Sequence, residues 1–121
     1  MELSSKQSKS YKKELFIIYS IKMYIGYEPH GTRAYTLAFD FDTVAEFKQQ
    51  FLKRFGNLSA SNRVMRDKDR VSMLLKQIEH IEDILYWENN VNVYSHWDID
   101  IIFIHKNVNG KRSELYHIKN T

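Results

Sequence analysis

The spacing of the apolar residues changes twice along this chain, and this change limits the folds open to it. Apolar side chains recur at every second position in Leu15–Ile25 and again in Thr32–Phe41, which predicts two strands. The spacing then becomes helical, and from Val91 it returns to two. The order β-β-α-α-β-β predicts an α+β domain, with two β-hairpins flanking two central helices. We expect either a two-layer sandwich or a small partly open barrel.

The first hairpin is predicted from alternation and turn chemistry. The segment Gly26–Gly31 contains the only proline of the chain between two glycines, a composition typical of a turn. The alternation assigns one face of the two strands to a single set of residues. This set is Leu15, Ile17, Tyr19, Ile21, Met23, Ile25, Tyr35, Leu37, Phe39 and Phe41.

The first helix carries its own start signal. Thr43 and Glu46 form a capping box, in which the threonine hydroxyl accepts from a free helical N–H and the glutamate reaches back. Val44, Phe47, Phe51 and Phe55 follow at helical spacing, and Gly56 is placed to end the helix as its C′ residue.

A second helix is predicted by one continuous apolar stripe. Val71, Leu74, Ile78, Ile81 and Leu85 follow each other at spacings of three and four. Its N-cap stays open between Ser61, Asp67 and Asp69. The residues that we expect in the core from both helices are Phe47, Phe51, Phe55, Leu74, Ile78 and Leu85.

The C-terminal part of the chain predicts a second hairpin. Asn109-Gly110 favours a type I′ turn, since both residues tolerate positive φ. This turn predicts the pairs Val108–Lys111, His105–Glu114, Phe103–Tyr116 and Ile101–Ile118. The alternation assigns one face to Val91, Val93, Trp97, Ile99, Ile101 and Phe103, and the other to Tyr94, Ile102 and Ile104. A break near Ser95 leaves a fifth strand open.

Composition limits the class of protein. A chain of 121 residues without cysteine holds one domain and no disulfide, thiolate metal site or iron–sulfur cluster. We expect a flexible polar tail over residues 1–10 and a single globular domain over residues 11–121. The apolar stretch Leu15–Ile25 is too short to cross a bilayer as a helix and lacks a cleavage site. We therefore expect a cytoplasmic protein without cofactors.

Two histidine clusters could carry chemistry. His96, Asp98 and Asp100 share one face of a predicted strand, but residues two apart lie about 6.5–7 Å from each other, which fits a compact metal site poorly. We therefore predict no metal there. His105, Arg112 and His117 could serve a metal-independent ribonuclease. The predicted register, however, assigns the imidazoles of His105 and His117 to opposite faces, which argues against catalysis.

The charges are strongly polarised along the chain. Six basic residues against two acidic ones give residues 53–70 a net charge of +4, whereas residues 77–104 carry six acidic and no basic residues. Arginines near a helix N-terminus favour a bound anion such as phosphate. The predicted nucleic-acid or anion-binding residues are Lys53, Arg54, Arg63, Arg66, Lys68, Arg70, Lys111, Arg112 and Tyr27.

These patterns favour binding over catalysis. We expect a small non-enzymatic nucleic-acid-binding protein with a regulatory or accessory role, and RNA is favoured over duplex DNA because no recognition helix is evident. The abundance of Ile, Lys, Asn and Tyr indicates a mobile element of a low-GC Gram-positive bacterium. The first alternative is an inhibitor or accessory factor that binds a host protein through the acidic segment or the aromatic residues. The second is the ribonuclease.

Overall fold

The computed structural model describes residues 15–27, 34–58 and 67–118. The α+β class is confirmed, but the order is β-β-α-α-α-β-β, with three helices instead of two. The expected tail over residues 1–10 lies outside the described residues. The elements are β1 (Ile17–Tyr27), β2 (Ala34–Phe41), α1 (Val44–Gly56), α2 (Lys68–Lys76), α3 (Asp83–Tyr94), β3 (Trp97–Val108) and β4 (Lys111–His117).

The four strands form one open antiparallel sheet in the order β2-β1-β3-β4. The alternation predicted for the first two strands is confirmed within β1 and β2, because Ile21, Met23 and Ile25 are buried together with Leu37 and the two phenylalanines of β2. Leu15, predicted on the same face, precedes β1 and is exposed. The helices pack on this buried face. The opposite face has no helix over it in the described part of the chain, and we call it the open face.

Aromatic rings from α1, α3 and the sheet fill the core. Phe51 is fully buried, with its ring centroid 4.8 Å from Trp87 and 5.2 Å from Phe55. Four of the six predicted helical core residues are buried. The other two, Leu74 and Leu85, are partly buried and pack at the margin of the core.

The start of α1 follows the predicted capping box. The hydroxyl of Thr43 accepts from the backbone N–H of Glu46 at 3.1 Å, and the Glu46 carboxylate accepts from the N–H of Asp42 at 3.3 Å. The predicted end is two residues too early. Gly56 is the last helical residue, and Asn57 caps the helix with a right-handed φ of −92°. No left-handed glycine is needed there.

The single helix predicted over Val71–Leu85 is wrong, because the chain breaks it in two. α2 ends at Lys76, and the carboxylate of Asp83, in the first turn of α3, holds the connection by accepting from the N–H groups of Glu79 and His80 at 3.0 Å each. These hydrogen bonds hold the pKa of Asp83 below its usual value. The apolar spacing continues through the break because Ile78 is buried in the connection itself.

The strand predicted from Val91 is wrong at its beginning. Val91 and Val93 belong to α3, whose buried face is formed by Ile84, Trp87 and Val91 at helical spacing. Apolar residues four positions apart share one face of a strand and also one face of a helix. A few of them therefore do not distinguish the two structures. The break near Ser95 is present, but it is the C-cap of α3, where the Ser95 hydroxyl donates to the Val91 carbonyl at 2.8 Å.

Side chains of α3 also cover an edge of the sheet. β4 pairs with β3 only as far as Phe103, so the first half of β3 has no strand on that side among the described residues. The Asn92 amide fills the place of a strand, since it accepts from the N–H of Ile99 at 2.7 Å and donates to its carbonyl at 2.9 Å. Glu88 accepts from the N–H of Ile101 at 2.7 Å.

Candidate nucleic-acid interface on the open face

A β-bulge at Ile102 changes which residues of β3 reach the open face. Lys22 of β1 pairs with Phe103, but the next residue, Met23, pairs with Ile101, so that Ile102 is the extra residue. Trp97, Ile99 and Ile101 are buried before the bulge, and Ile104 is buried after it. The prediction that Phe103 shares a face with Trp97 is therefore wrong. Phe103 lies on the open face.

A second bulge, at Leu115, does the same for β4. The type I′ turn is confirmed, with φ values of 51° at Asn109 and 89° at Gly110. The predicted pairs Val108–Lys111 and His105–Glu114 are confirmed. Beyond them the ladder shifts by one residue, so that Phe103 pairs with His117 and not with Tyr116, as predicted. Ile118 likewise donates to the carbonyl of Ile102 instead of pairing with Ile101.

The two bulges together bring both imidazoles to the open face. His105 pairs with Glu114, and His117 pairs with Phe103. His117 is therefore the diagonal neighbour of His105 on the adjacent strand. The expectation that the sheet separates His105 from His117 is wrong, because it assumed an unbroken ladder. We call the resulting group the imidazole cluster. It comprises Phe103, His105, Arg112, Glu114 and His117.

The cluster is internally ordered. The rings of Phe103 and His105 are stacked, with centroids 4.1 Å apart and planes 8° from parallel. His117 Nδ1 lies 2.7 Å from the Ile118 carbonyl oxygen. Because a carbonyl oxygen only accepts, Nδ1 carries a proton, and Nε2 is the ring nitrogen left for another partner.

Electrostatics favour the neutral form of His105. Burial is the largest cause that lowers the pKa of its imidazole, and the positive charge of Arg112 lowers this pKa further. The carboxylate of Glu114 raises this pKa in opposition, and His117 lowers it again.

The rest of the open face divides by charge. Beside the cluster, Lys22 lies opposite Phe103, and the Ser20 hydroxyl donates to Asp40 at 2.7 Å. Towards the start of β3 the face is acidic, where Tyr24, 45% exposed, pairs with Asp100. Basic and aromatic groups therefore concentrate at the β4 side of the sheet.

The basic residues near the helices that we predict to bind anions have different surroundings in the structure. Lys53 and Arg54 are exposed in the last turn of α1, where Arg54 also lies over the Phe39 ring at 5.6 Å. Lys68 is only 9% exposed, and its ammonium group lies 5.2 Å from the Phe55 centroid. Burial lowers the pKa of Lys68. In the structure, Lys68 therefore packs against the aromatic core.

Arg63, Arg66 and Arg70 would share one face of the second helix only if this helix began near Ser61, the first of the three candidate N-caps. α2 begins at Lys68, and Arg63 and Arg66 lie outside the described residues. Arg70 is described, and its guanidinium donates to the Tyr94 carbonyl at 2.8 Å, at the C-terminal end of α3. A cation there is favourable for the helix dipole, so Arg70 contributes to the fold.

Tyr27 is the second correction among the predicted binding residues. The turn was expected to include it, but it is the last residue of β1 and is only 7% exposed. Its ring packs against Trp97 with centroids 5.1 Å apart. Packing in the core thus accounts for this aromatic side chain.

Among His96, Asp98 and Asp100, for which we predict no bound metal, His96 contacts an acidic side chain of another element. His96 Nδ1 contacts the carboxylate of Asp67 at 2.5 Å, and its backbone N–H donates to the same oxygen at 2.9 Å. The side chain of Asp67, the N-cap of α2, thus contacts the connection between α3 and β3 and does not cap its own helix. Within residues 15–27, 34–58 and 67–118, no three acidic or histidine side chains are grouped as a metal site requires.

Comparison with protein-family models, curated proteins and solved structures finds no match for this chain. None of the described helices has the length and apolar character needed to cross a membrane. The function must therefore be argued from the geometry of the open face.

Proposed function

We propose that this protein binds nucleic acid, and RNA in preference to duplex DNA, on the open face of its sheet. The observation that carries the proposal is the stacked pair of Phe103 and His105, which has Lys22, Arg112 and His117 around it. An aromatic surface beside cationic side chains is the combination that holds single-stranded nucleic acid, since bases stack on the rings and phosphates pair with the cations.

The shape of the face supports single strands over a duplex. Neighbouring strands lie about 4.7–4.9 Å apart, so a sheet offers a nearly flat platform on which unstacked bases can lie. Reading duplex DNA requires an element that enters the major groove, such as a helix or a two-stranded ribbon. The helices lie on the buried face, away from the imidazole cluster.

The wider role that we propose is the one inferred from the sequence. We propose a non-membrane, cytoplasmic regulator or accessory protein of a bacterial mobile element. Lys111, next to Arg112 at the start of β4, would extend the contact with phosphates beyond the cluster, whereas Lys53 and Arg54 of α1 lie on the helical side of the sheet. Arg63 and Arg66 are proposed as further phosphate contacts from the sequence alone. Removing Arg63 and Arg66 by substitution with glutamine is then expected to weaken RNA binding and to leave the melting temperature unchanged.

A protein-binding role is the second candidate, because of one cavity. A groove of about 270 Å³ lies between α3 and the second hairpin, lined mainly by apolar side chains. It includes Leu85, Leu115 and Tyr116, beside the edge strand β4. An exposed strand edge next to an apolar groove can accept an added strand from a partner. The acidic residues are less suited to this role, since Asp83 and Glu88 bind backbone N–H groups.

The test is binding of a fluorescent single-stranded RNA by the full chain, measured by anisotropy over a range of salt concentrations. We expect Phe103→Ala to weaken binding by roughly 5- to 150-fold, which corresponds to the loss of one stacked base of about 1–3 kcal/mol. Arg112→Gln should reduce the slope of log affinity against log salt by about one unit.

The matched control is Tyr86→Ala, which removes a 72% exposed aromatic ring from α3, away from the open face. Its affinity for RNA should equal that of the wild type. Equal losses in Phe103→Ala and Tyr86→Ala would contradict binding on the open face. The absence of any salt-dependent RNA binding by the wild type would contradict the proposal itself and favour the protein-binding role.

A further inference from the structure

The imidazole cluster contains more than a binding surface requires. Stacking and phosphate contacts need rings and cations, but they do not need two imidazoles within reach of one group. Diagonal neighbours on adjacent strands lie about 7–8 Å apart, and this is the relation between His105 and His117. Two imidazoles at this separation can approach opposite sides of one phosphodiester, each about 2.6–3.2 Å from a reacting oxygen.

Both irregularities of the sheet are needed to produce this arrangement. Without the bulge at Ile102, His105 would continue on the buried face with Trp97 and Ile99. Without the bulge at Leu115, His117 would lie on the side opposite His105. Bulges re-aim side chains and are frequent beside active sites. Two of them converge on one pair of histidines.

We infer from this geometry that the protein cleaves single-stranded RNA at the imidazole cluster, through attack of a ribose 2′-hydroxyl on the adjacent phosphorus. The inference rests on the proposed function, because the RNA must first bind to the open face. It departs from the expectation of a non-enzymatic protein, which depended on an unbroken ladder between β3 and β4.

The step balances without a metal or a co-reactant. The 2′-oxygen forms a bond to phosphorus while the bond from phosphorus to the 5′-oxygen breaks. The proton of the 2′-hydroxyl passes to one imidazole, and the other imidazole gives a proton to the departing 5′-oxygen. The products are one fragment ending in a 2′,3′-cyclic phosphate and one beginning with a 5′-hydroxyl.

The surroundings of each side chain assign the roles. His105 is the base, since burial and Arg112 favour its neutral form, and Glu114 opposite stabilises the imidazolium after proton uptake. His117 is the acid, because its Nδ1 is held by the Ile118 carbonyl and its Nε2 is not used in that bond. The guanidinium of Arg112 stabilises the charge that develops on the phosphoryl oxygens.

The experiment uses the full chain, a 5′-labelled single-stranded RNA and the same sequence with 2′-O-methyl riboses, in buffer with EDTA. The wild type should cut the RNA to fragments ending in a 2′,3′-cyclic phosphate and should bind the 2′-O-methyl strand without cutting it. His105→Gln and His117→Gln should each lower the cleavage rate at least about 100-fold. The rate is measured with each variant in excess over its own dissociation constant for the strand, so that the loss of cleavage is separated from any loss of stacking at His105.

The control is His80→Gln, which changes an exposed histidine in the connection between α2 and α3. Prepared in parallel, it should cut like the wild type, and this separates the activity from a contaminating nuclease. Wild-type protein that binds both strands and cuts neither would overturn the cleavage and leave RNA binding intact. Protein that binds neither strand would overturn both proposals. Unchanged cleavage by both His105→Gln and His117→Gln would overturn the cleavage proposal. Cleavage of the 2′-O-methyl strand would overturn it as well.

Discussion

Replacement of Phe51 by alanine tests the aromatic core on which the open sheet rests. The ring is fully buried, and its four nearest aromatic neighbours are Phe39, Phe47, Phe55 and Trp87. Truncation of a buried phenylalanine costs about 3–5 kcal/mol. The neighbours are rigid rings that cannot collapse into the space, and two of them form close ring pairs worth roughly 0.5–1.5 kcal/mol each beyond burial. We therefore expect a loss near the top, about 4–5 kcal/mol.

Such a loss is large for a chain of this size. Domains of this kind are stable by about 5–15 kcal/mol, so the variant should keep only a part of its free energy of unfolding. Urea unfolding followed by circular dichroism measures this loss. Phe51→Leu keeps most of the volume and should cost clearly less, which gives a folded variant for comparison even if Phe51→Ala is unfolded in buffer.

Leu52→Ala is the matched control, since the next residue of the same helix is 37% exposed. It should cost well under half as much as Phe51→Ala. A loss below about 1 kcal/mol for Phe51→Ala, or equal losses at the two positions, would refute the reasoning. The buried face of α1 would then not be where the structure has it.

Two further predictions concern the sheet. Gly110→Ala should cost about 1–2 kcal/mol, because an added Cβ meets nothing within 4 Å and only the positive φ of 89° is unfavourable; an unchanged urea midpoint would contradict the type I′ turn. Burial raises the pKa of Glu88 above its usual value, although the hydrogen bond from the Ile101 N–H lowers it, so this carboxyl favours folding most below the usual pKa and less as pH rises. Glu88→Gln should therefore melt higher than the wild type at pH 7.5 and converge with it at pH 4; the reverse order would contradict this sign.

The sequence predicted features that depend on local chemistry. The capping box at Thr43 and the turn at Asn109-Gly110 are each specified by two residues, and both are confirmed. The faces of β1 and β2 follow from strict alternation, which one buried side enforces. These are features in which neighbouring residues decide the conformation.

The features that the sequence did not predict depend on distant contacts. No glycine or proline stands at Ile102 or Leu115, so nothing local indicates the two bulges. Their position is set by the need to bury Ile104 and to pack Tyr116 against the core. Charge can be counted along a chain and therefore predicts a site mainly in residues 53–70, whereas the convergence of His105 and His117 cannot be predicted in this way.

The cover that α3 provides for β3 has a consequence for the behaviour of this protein at high concentration. Asn92 and Glu88 satisfy N–H and carbonyl groups that would otherwise form a bare strand edge. Any event that lifts α3 from the sheet, including thermal fraying of its ends, turns this edge into a template for a strand from another molecule. Self-association should then begin here, with an onset that depends on protein concentration, before the core unfolds.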